Sequence, residues 1–161
     1  MGITDEPIGY FITWTVYGTF LQGDTRWWRK KGKGFQAPNL QLKQWHADRL
    51  KYDVILLSEI HREIVESEIR SHCEHRGWRL WIGNPRTNHV HVVVSAPGFT
   101  GRKVRDQLKA NCTRGLRQHD QLFVDRPVWS VGGDWKSIEK DDDLEQAILY
   151  AGEAQDRMNY K

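Results

Sequence analysis

The fold is decided by residues 87–95, which read T-N-H-V-H-V-V-V-S and alternate as the side chains of a β-strand do. Alternate residues share one face of a sheet, so Asn88 and the valines at even positions are expected to face covering helices. His89 and His91 then lie together on the opposite, open face. Two imidazoles at this spacing can hold one divalent metal ion. An isolated His-x-His pattern also arises by chance, and a pair of half-exposed surface histidines is the alternative interpretation.

Strands and helices alternate around this segment. The predicted strands are 10–17, 78–82, 88–95 and 128–131, and the predicted helices lie between Ser58 and Gly77 and over 101–118. The order β-α-β-β-α-β is the ferredoxin-like arrangement. Both crossover helices are expected to cover one face of the sheet, which leaves the other face available for a ligand.

One domain, 1–161, accounts for the chain of 161 residues. A further helix is predicted at 141–158, where acidic residues crowd the first turn as the helix dipole favours, and it carries Tyr150. Residues 24–50 are expected to form a long basic, aromatic loop or hairpin inserted in the domain. The predicted fold class is therefore α+β, a ferredoxin-like βαββαβ antiparallel sheet with an additional C-terminal helix carrying the tyrosine.

The composition, 39% hydrophobic and 28% charged, is that of a globular protein. No run of 18 apolar residues predicts a membrane span, and the acidic first residues do not form a secretory signal. A cytoplasmic protein without a membrane partner is therefore expected. Cys73 and Cys112 lie at apolar positions of the predicted helices, which indicates two buried thiols.

The positive charge is clustered although the net charge is only +3. Basic residues gather at 24–34 and 101–117, whereas 139–156 is acidic. A phosphate-binding surface needs such clustering. The candidate DNA-binding residues are Arg102, Lys103, Arg105, Lys109, Arg26, Trp27, Trp28, Arg29 and Lys30. The alternatives are a solvated basic helix face and, for the tryptophans, core packing.

The N-H-V-H-V-V-V strand, the downstream helical Tyr150 and the ferredoxin-like order together resemble the HUH single-tyrosine transposases, and in particular the REP-associated branch. The opening Y-F-I-T-W-T-V-Y-G-T-F-L-Q-G-D of residues 10–24 and the H-R-G-W of residues 75–78 also look like that branch. The resemblance extends over about residues 10–155.

The resemblance implies a DNA transposase that cleaves and rejoins single-stranded DNA through a 5′-phosphotyrosine link. It assigns His89 and His91 as ligands of Mg²⁺ or Mn²⁺ and Tyr150 as the nucleophile. It also implies a homodimer and a hairpin-forming DNA target of the REP-element type. The metal would polarise the scissile phosphate, which a weak phenol nucleophile needs.

The third metal ligand is left open between two residues. The family places a glutamine four residues after the tyrosine, and here that position is Ala154. On a regular helix Glu153 lies closer to the direction of Tyr150, whereas Gln155 has the family's residue type. Either residue is therefore a candidate.

Two other functions compete with the enzyme. A domesticated relative would keep the sheet and the basic clusters and bind structured single-stranded DNA or RNA without cutting it. Replication initiators and relaxases share the chemistry but are usually larger, so the length of 161 residues disfavours them.

Overall fold

The computed structural model describes residues 6–19, 29–30, 34–35, 41 and 50–153, and within them it has a four-stranded antiparallel sheet. The helices are α1 (Glu59–Arg76), α2 (Gly101–His119) and α3 (Asp141–Glu153), and a separate antiparallel ribbon consists of β2 (Arg29–Lys30) and β3 (Gly34–Phe35). The strands of the sheet are β1 (Gly9–Thr15), β4 (Arg79–Pro85), β5 (His89–Ser95) and β6 (Asp134–Ile138). They lie in the order β4-β5-β1-β6. This order is the ferredoxin-like one, so the predicted fold class is confirmed.

The main core lies between the sheet and helices α1 and α2. Ser58 accepts a hydrogen bond from the backbone of His61 and begins α1, and Gly77, with a left-handed φ of 72°, ends it. The buried positions of α2 recur at four-residue steps from Val104 to Leu116. These side chains pack on the even-numbered valines of β5, which is the face that the alternation predicts.

The other face of the sheet is partly covered by α3. Leu144 and Ala151 of this helix form a second buried cluster with Val93 of β5, and Phe11 packs against it. The expectation that this face stays open is therefore wrong where α3 packs on it. Val93 lies on the same face of the sheet as His91, and Phe11 lies on the same face as Thr13. Because Val93 and Phe11 are apolar, their burial under α3 is favourable.

A bulge in β4 moves the strand from one layer to the other. Leu80 is paired with Val94, but Ile82 is paired with Val93, so Trp81 is the extra residue. Leu80 therefore packs in the main core and Ile82 in the cluster under α3. Simple alternation through this strand would have placed both on one face.

The fourth strand of the sheet is β6 rather than the predicted 128–131. Residues 128–131 contribute a single bridge, from Trp129 to Val16, and Val128 and Trp129 are buried in the main core. Gly133 then leads the chain into β6. A glycine is needed at this position because φ is 122° and a Cβ would lie 2.9 Å from the carbonyl oxygen of Thr13. The apolar pattern thus reports burial here and not sheet pairing.

The inserted segment and the end of the chain are described only in part. Within the insertion predicted at residues 24–50, the structure describes the antiparallel β2–β3 ribbon, whereas Arg26, Trp27 and Trp28 lie outside the described residues. Of the tyrosine helix predicted at 141–158, the structure describes residues 141–153. None of the helices in the described part has the length and apolarity that crossing a membrane requires.

Candidate active site

Two rows of residues cross the face of the sheet that α3 partly covers. The first row is apolar: Ile82, Val93 and Phe11, opposite one another on β4, β5 and β1. The second row is polar and follows one step along the strands: Asn84, His91, Thr13 and Asp134. Helix α3 lies over the apolar row, and the polar row begins where that helix ends.

His89 and His91 are brought together as predicted. Their ring centroids are 4.7 Å apart and the planes meet at 70°. Their exposed fractions are only 2% and 5%, so the alternative of half-exposed surface histidines is wrong. Buried polar side chains need partners, and each imidazole has one.

The Nδ1 atoms of both histidines contact side-chain oxygens. His89 Nδ1 donates to Asn88 Oδ1 at 2.6 Å, and His91 Nδ1 lies 2.7 Å from Thr13 Oγ1, which can accept from it. A proton held on Nδ1 puts the ring lone pair on Nε2, and such outer contacts orient histidines that bind metals. The pair therefore fits a divalent cation that accepts imidazole nitrogen.

The third ligand stays a prediction. Among the side chains that the structure describes, no group of three His, Cys, Asp or Glu residues is placed to hold a metal ion. Glu153 ends α3 and is exposed, without joining the two histidines in such a group. Gln155 lies outside the described residues.

Tyr150 lies beside the histidine pair in the same chain. Its ring centroid is 5.8 Å from that of His91 and 5.7 Å from that of Phe11. The tyrosine is 64% exposed, so a polymer could reach it from solvent. Asn84 Nδ2 of β4 donates to the carbonyl oxygen of Ala151 at 2.6 Å, and this hydrogen bond holds α3 to the sheet next to Tyr150.

The candidate DNA-binding residues of α2 divide into two pairs. Lys109 Nζ donates to the carbonyls of Ser130 and Gly132, at 3.0 and 2.6 Å, and Arg105 donates to the carbonyl of Gly133 at 2.8 Å. Both therefore hold the loop before β6. Burial, with a smaller effect of Arg105, lowers the pKa of Lys109 to about 8.

The other pair, Arg102 and Lys103, points to solvent. The side chain of Arg102 is 76% exposed, and its Nε lies 4.0 Å from Asp106. Exposed ion pairs of this length contribute little. These two side chains remain accessible to phosphates. Arg29 and Lys30 lie on β2, of which the structure describes the backbone.

Sequence reasoning missed the residues that support the site. Thr13, Asn88, Phe11 and Asn84 hold the histidines, the tyrosine ring or its helix. The signal for Thr13 was present, since it faces away from the main core and the ferredoxin-like order pairs its strand with the histidine strand. Asn84 had no signal, because its role depends on where α3 docks.

Two solved structures share the fold of this chain. A candidate transposase from Deinococcus radiodurans has a TM-score of 0.53 at 9% identity, over 97% of this chain and 98% of the other. A REP-associated tyrosine transposase bound to a REP hairpin has a TM-score of 0.52 at 11% identity, over 94% of this chain and 68% of the other. No protein-family model and no curated protein sequence matches the chain. In fold, the chain is therefore similar to these two transposase structures over nearly its whole length.

Proposed function

We propose that this protein is a DNA transposase that cleaves and rejoins single-stranded DNA through a phosphotyrosine formed by Tyr150. The observation that carries the proposal is the placement of one exposed phenol ring against a buried histidine pair. The likeness in fold to two transposase structures supports it. A surface tyrosine with only a packing role would not need a buried imidazole beside it.

The residues divide the reaction among them. The Tyr150 oxygen forms a bond to phosphorus and loses its proton to water; the bond from phosphorus to the 3′-oxygen breaks, and that oxygen takes up a proton. His89 and His91 would hold Mn²⁺ or Mg²⁺, which supplies polarisation of the phosphate and offsets its developing charge. The link to Tyr150 conserves the phosphodiester energy, so a 3′-hydroxyl can later reverse the step without ATP.

The geometry within one chain supports a site completed in cis. The contact between Tyr150 and His91 needs no second subunit. The homodimer remains an expectation from the resemblance, and light scattering with and without DNA tests it. The DNA target is proposed to form a hairpin, as in the REP hairpin complex of the structural neighbour.

Covalent trapping tests the proposal. Labelled single-stranded DNA from the repeats flanking the gene is incubated with the protein and Mn²⁺ or EDTA and run on denaturing gels. A protein–DNA adduct is expected with Mn²⁺ only, and it should be absent from Tyr150→Phe. Tyr10→Phe is a matched control, because Tyr10 is buried in the main core and its ring lies outside the histidine pair, so this variant should keep the adduct.

An adduct that survives in Tyr150→Phe would remove the assigned nucleophile. Binding without any adduct, on a substrate and metal that an active relative uses, would favour the domesticated binding protein for structured DNA or RNA. The non-cleaving binding protein is the second candidate function because the described side chains supply no third His, Cys, Asp or Glu ligand for a metal ion.

A further inference from the structure

Two tyrosines and an arginine form a half-buried cluster. The rings of Tyr17 and Tyr52 meet edge to face, with centroids 6.2 Å apart. The guanidinium carbon of Arg126 lies 5.6 Å from the centroid of each ring. Lys51 Nζ lies 5.5 Å from the ring of Tyr52. This Tyr17–Tyr52–Arg126 cluster thus combines two aromatic rings with two positive charges.

Backbone contacts hold the cluster in place. The N–H of Tyr17 donates to the carbonyl of Val128 at 3.0 Å, and Arg117 Nη2 donates to the carbonyl of Arg126 at 2.9 Å. The ion pairs between described residues do not include Arg126. Its charge is therefore not neutralised by a carboxylate of the described part, and it lies over rings that other ligands could stack upon.

The cluster lies at the end of the sheet where the histidine strand begins. Thr15 is paired with His89, and Tyr17 follows two residues later, with Val16 still bridged to the sheet. Two residues of strand span roughly 7 Å and paired strands lie about 5 Å apart, so the backbones of Tyr17 and His89 are within about 10 Å. About three stacked nucleotides cover that distance.

We propose that the Tyr17–Tyr52–Arg126 cluster is a stacking subsite for an unpaired base of single-stranded DNA that lies about three nucleotides from the cleaved phosphate. The inference rests on the proposed function and adds a substrate contact to it. Aromatic stacking accepts every base, because each base has a π-face, and arginine adds a cation–π contribution. Paired bases are already stacked inside a duplex, so the subsite selects a single strand.

Binding without cleavage tests the subsite. The Tyr150→Phe protein in EDTA is titrated with oligothymidylate carrying a single 2-aminopurine, whose fluorescence falls when it stacks. Tyr52→Leu and Arg126→Gln, each added to that protein, are expected to weaken binding about tenfold and to restore the fluorescence of the 2-aminopurine. Tyr52→Phe retains the aromatic ring, so it is expected to keep both the affinity and the fluorescence quenching. Arg79→Gln is the matched control, because its guanidinium lies 4.0 Å from the Trp81 ring elsewhere on the sheet.

Each outcome decides a different point. Equal affinity of Tyr52→Leu, Arg126→Gln and Arg79→Gln overturns the subsite, as does unchanged quenching at every position of the 2-aminopurine. Thermal melting checks that each variant folds, and Arg126→Gln, a change at the surface of a loop, keeps the test valid if Tyr52→Leu unfolds. Wild-type adducts with normal binding by the cluster variants refute the subsite alone. Weakened binding by these variants with no wild-type adduct supports the subsite and refutes the cleavage proposal.

Discussion

Thr13→Val is expected to weaken divalent metal binding at the histidine pair. The Thr13 hydroxyl lies 2.7 Å from Nδ1 of His91, a side chain that is only 5% exposed. Valine replaces that hydroxyl with a methyl of similar size, so His91 loses the hydrogen bond that orients its ring. Losing such an outer contact lowers metal affinity by roughly 10–100-fold, or about 1.4–2.7 kcal/mol.

Thr15→Val is the matched control for this change. Thr15 lies on the same strand and face, opposite His89, but the Nδ1 of His89 pairs with Asn88 instead. Both substitutions keep a β-branched residue in a strand, so the sheet should fold equally well. Titration calorimetry with MnCl₂, without DNA, measures the two affinities, and thermal melting confirms the fold.

The reasoning fails if Thr13→Val and Thr15→Val bind Mn²⁺ equally well. It also fails, at an earlier step, if calorimetry detects no Mn²⁺ binding to the wild type and if, with Mn²⁺ present, His89→Ala and His91→Ala have the same melting temperature as the wild type. A loss in Thr13→Val that Thr13→Ser restores would show that the hydroxyl, and not the packing, orients the imidazole.

Four further predictions follow from the structure. Lys103→Gln should reduce the slope of log affinity for single-stranded DNA against log salt by about 0.7, whereas Lys109→Met should leave that slope unchanged, because Lys109 Nζ is held by two loop carbonyls. Fluorescence anisotropy titrations at several salt concentrations measure the slopes, and an equal change of slope in the two variants would contradict the prediction. The lowered pKa of Lys109, about 8 against an ordinary 10.5, means that the unfolded chain binds this proton more tightly, so the stability of wild type relative to Lys109→Met should rise between pH 8 and 10. Urea unfolding at the two pH values measures this, and a fall would show the sign to be wrong. Burial raises the pKa of Cys73 to about 11 and raises that of Cys112 too, so a disulfide reagent at neutral pH should label neither thiol until urea unfolds the protein; rapid labelling of the native protein would argue against their burial. Leu144→Ala should lower the free energy of unfolding by about 2 kcal/mol, at the low end for buried leucines since the side chain is slightly exposed, and reduce adduct yield more than DNA affinity; an unchanged adduct yield would show that α3 docks without Leu144.

The elements with strong local periodicity were predictable from sequence. The alternation in β5 correctly placed Val90, Val92 and Val94 in the main core and both histidines on the other face. The four-residue spacing of Val104, Leu108, Cys112 and Leu116 in α2 is visible in the sequence, and all four side chains are buried. These predictions succeed because the period of a strand or helix fixes the face of each side chain without reference to any partner.

The fourth strand failed for the converse reason. β6 is an edge strand with only β1 beside it, and its side chains are mostly exposed up to Ile138. Its sequence D-W-K-S-I therefore carries almost no alternation. The buried Val128 and Trp129 gave a stronger apolar signal although they contribute only one bridge. Pairing is a property of two segments, and one segment's hydrophobicity does not report it.

The candidate site was predictable in its reactive residues and not in its supports. The spacing of His89 and His91 is local, but the contact of Thr13 with His91 depends on the register between β1 and β5. Likewise, the approach of Tyr150 to Phe11 depends on where α3 docks. Register and docking are set by non-local packing, so they could be known only from the structure.

The docking of α3 connects the core to the chemistry. Ala151 is fully buried, and a Cβ at Gly152 would lie 3.2 Å from Ile82 Cδ1, closer than ordinary contact. These two small residues follow Tyr150 directly, so the helix lies close to the sheet just beside the tyrosine. The same approach covers the apolar row and brings the phenol ring to His91. Burial of apolar surface thus sets the position of the proposed nucleophile, while the ring itself stays accessible to a DNA strand.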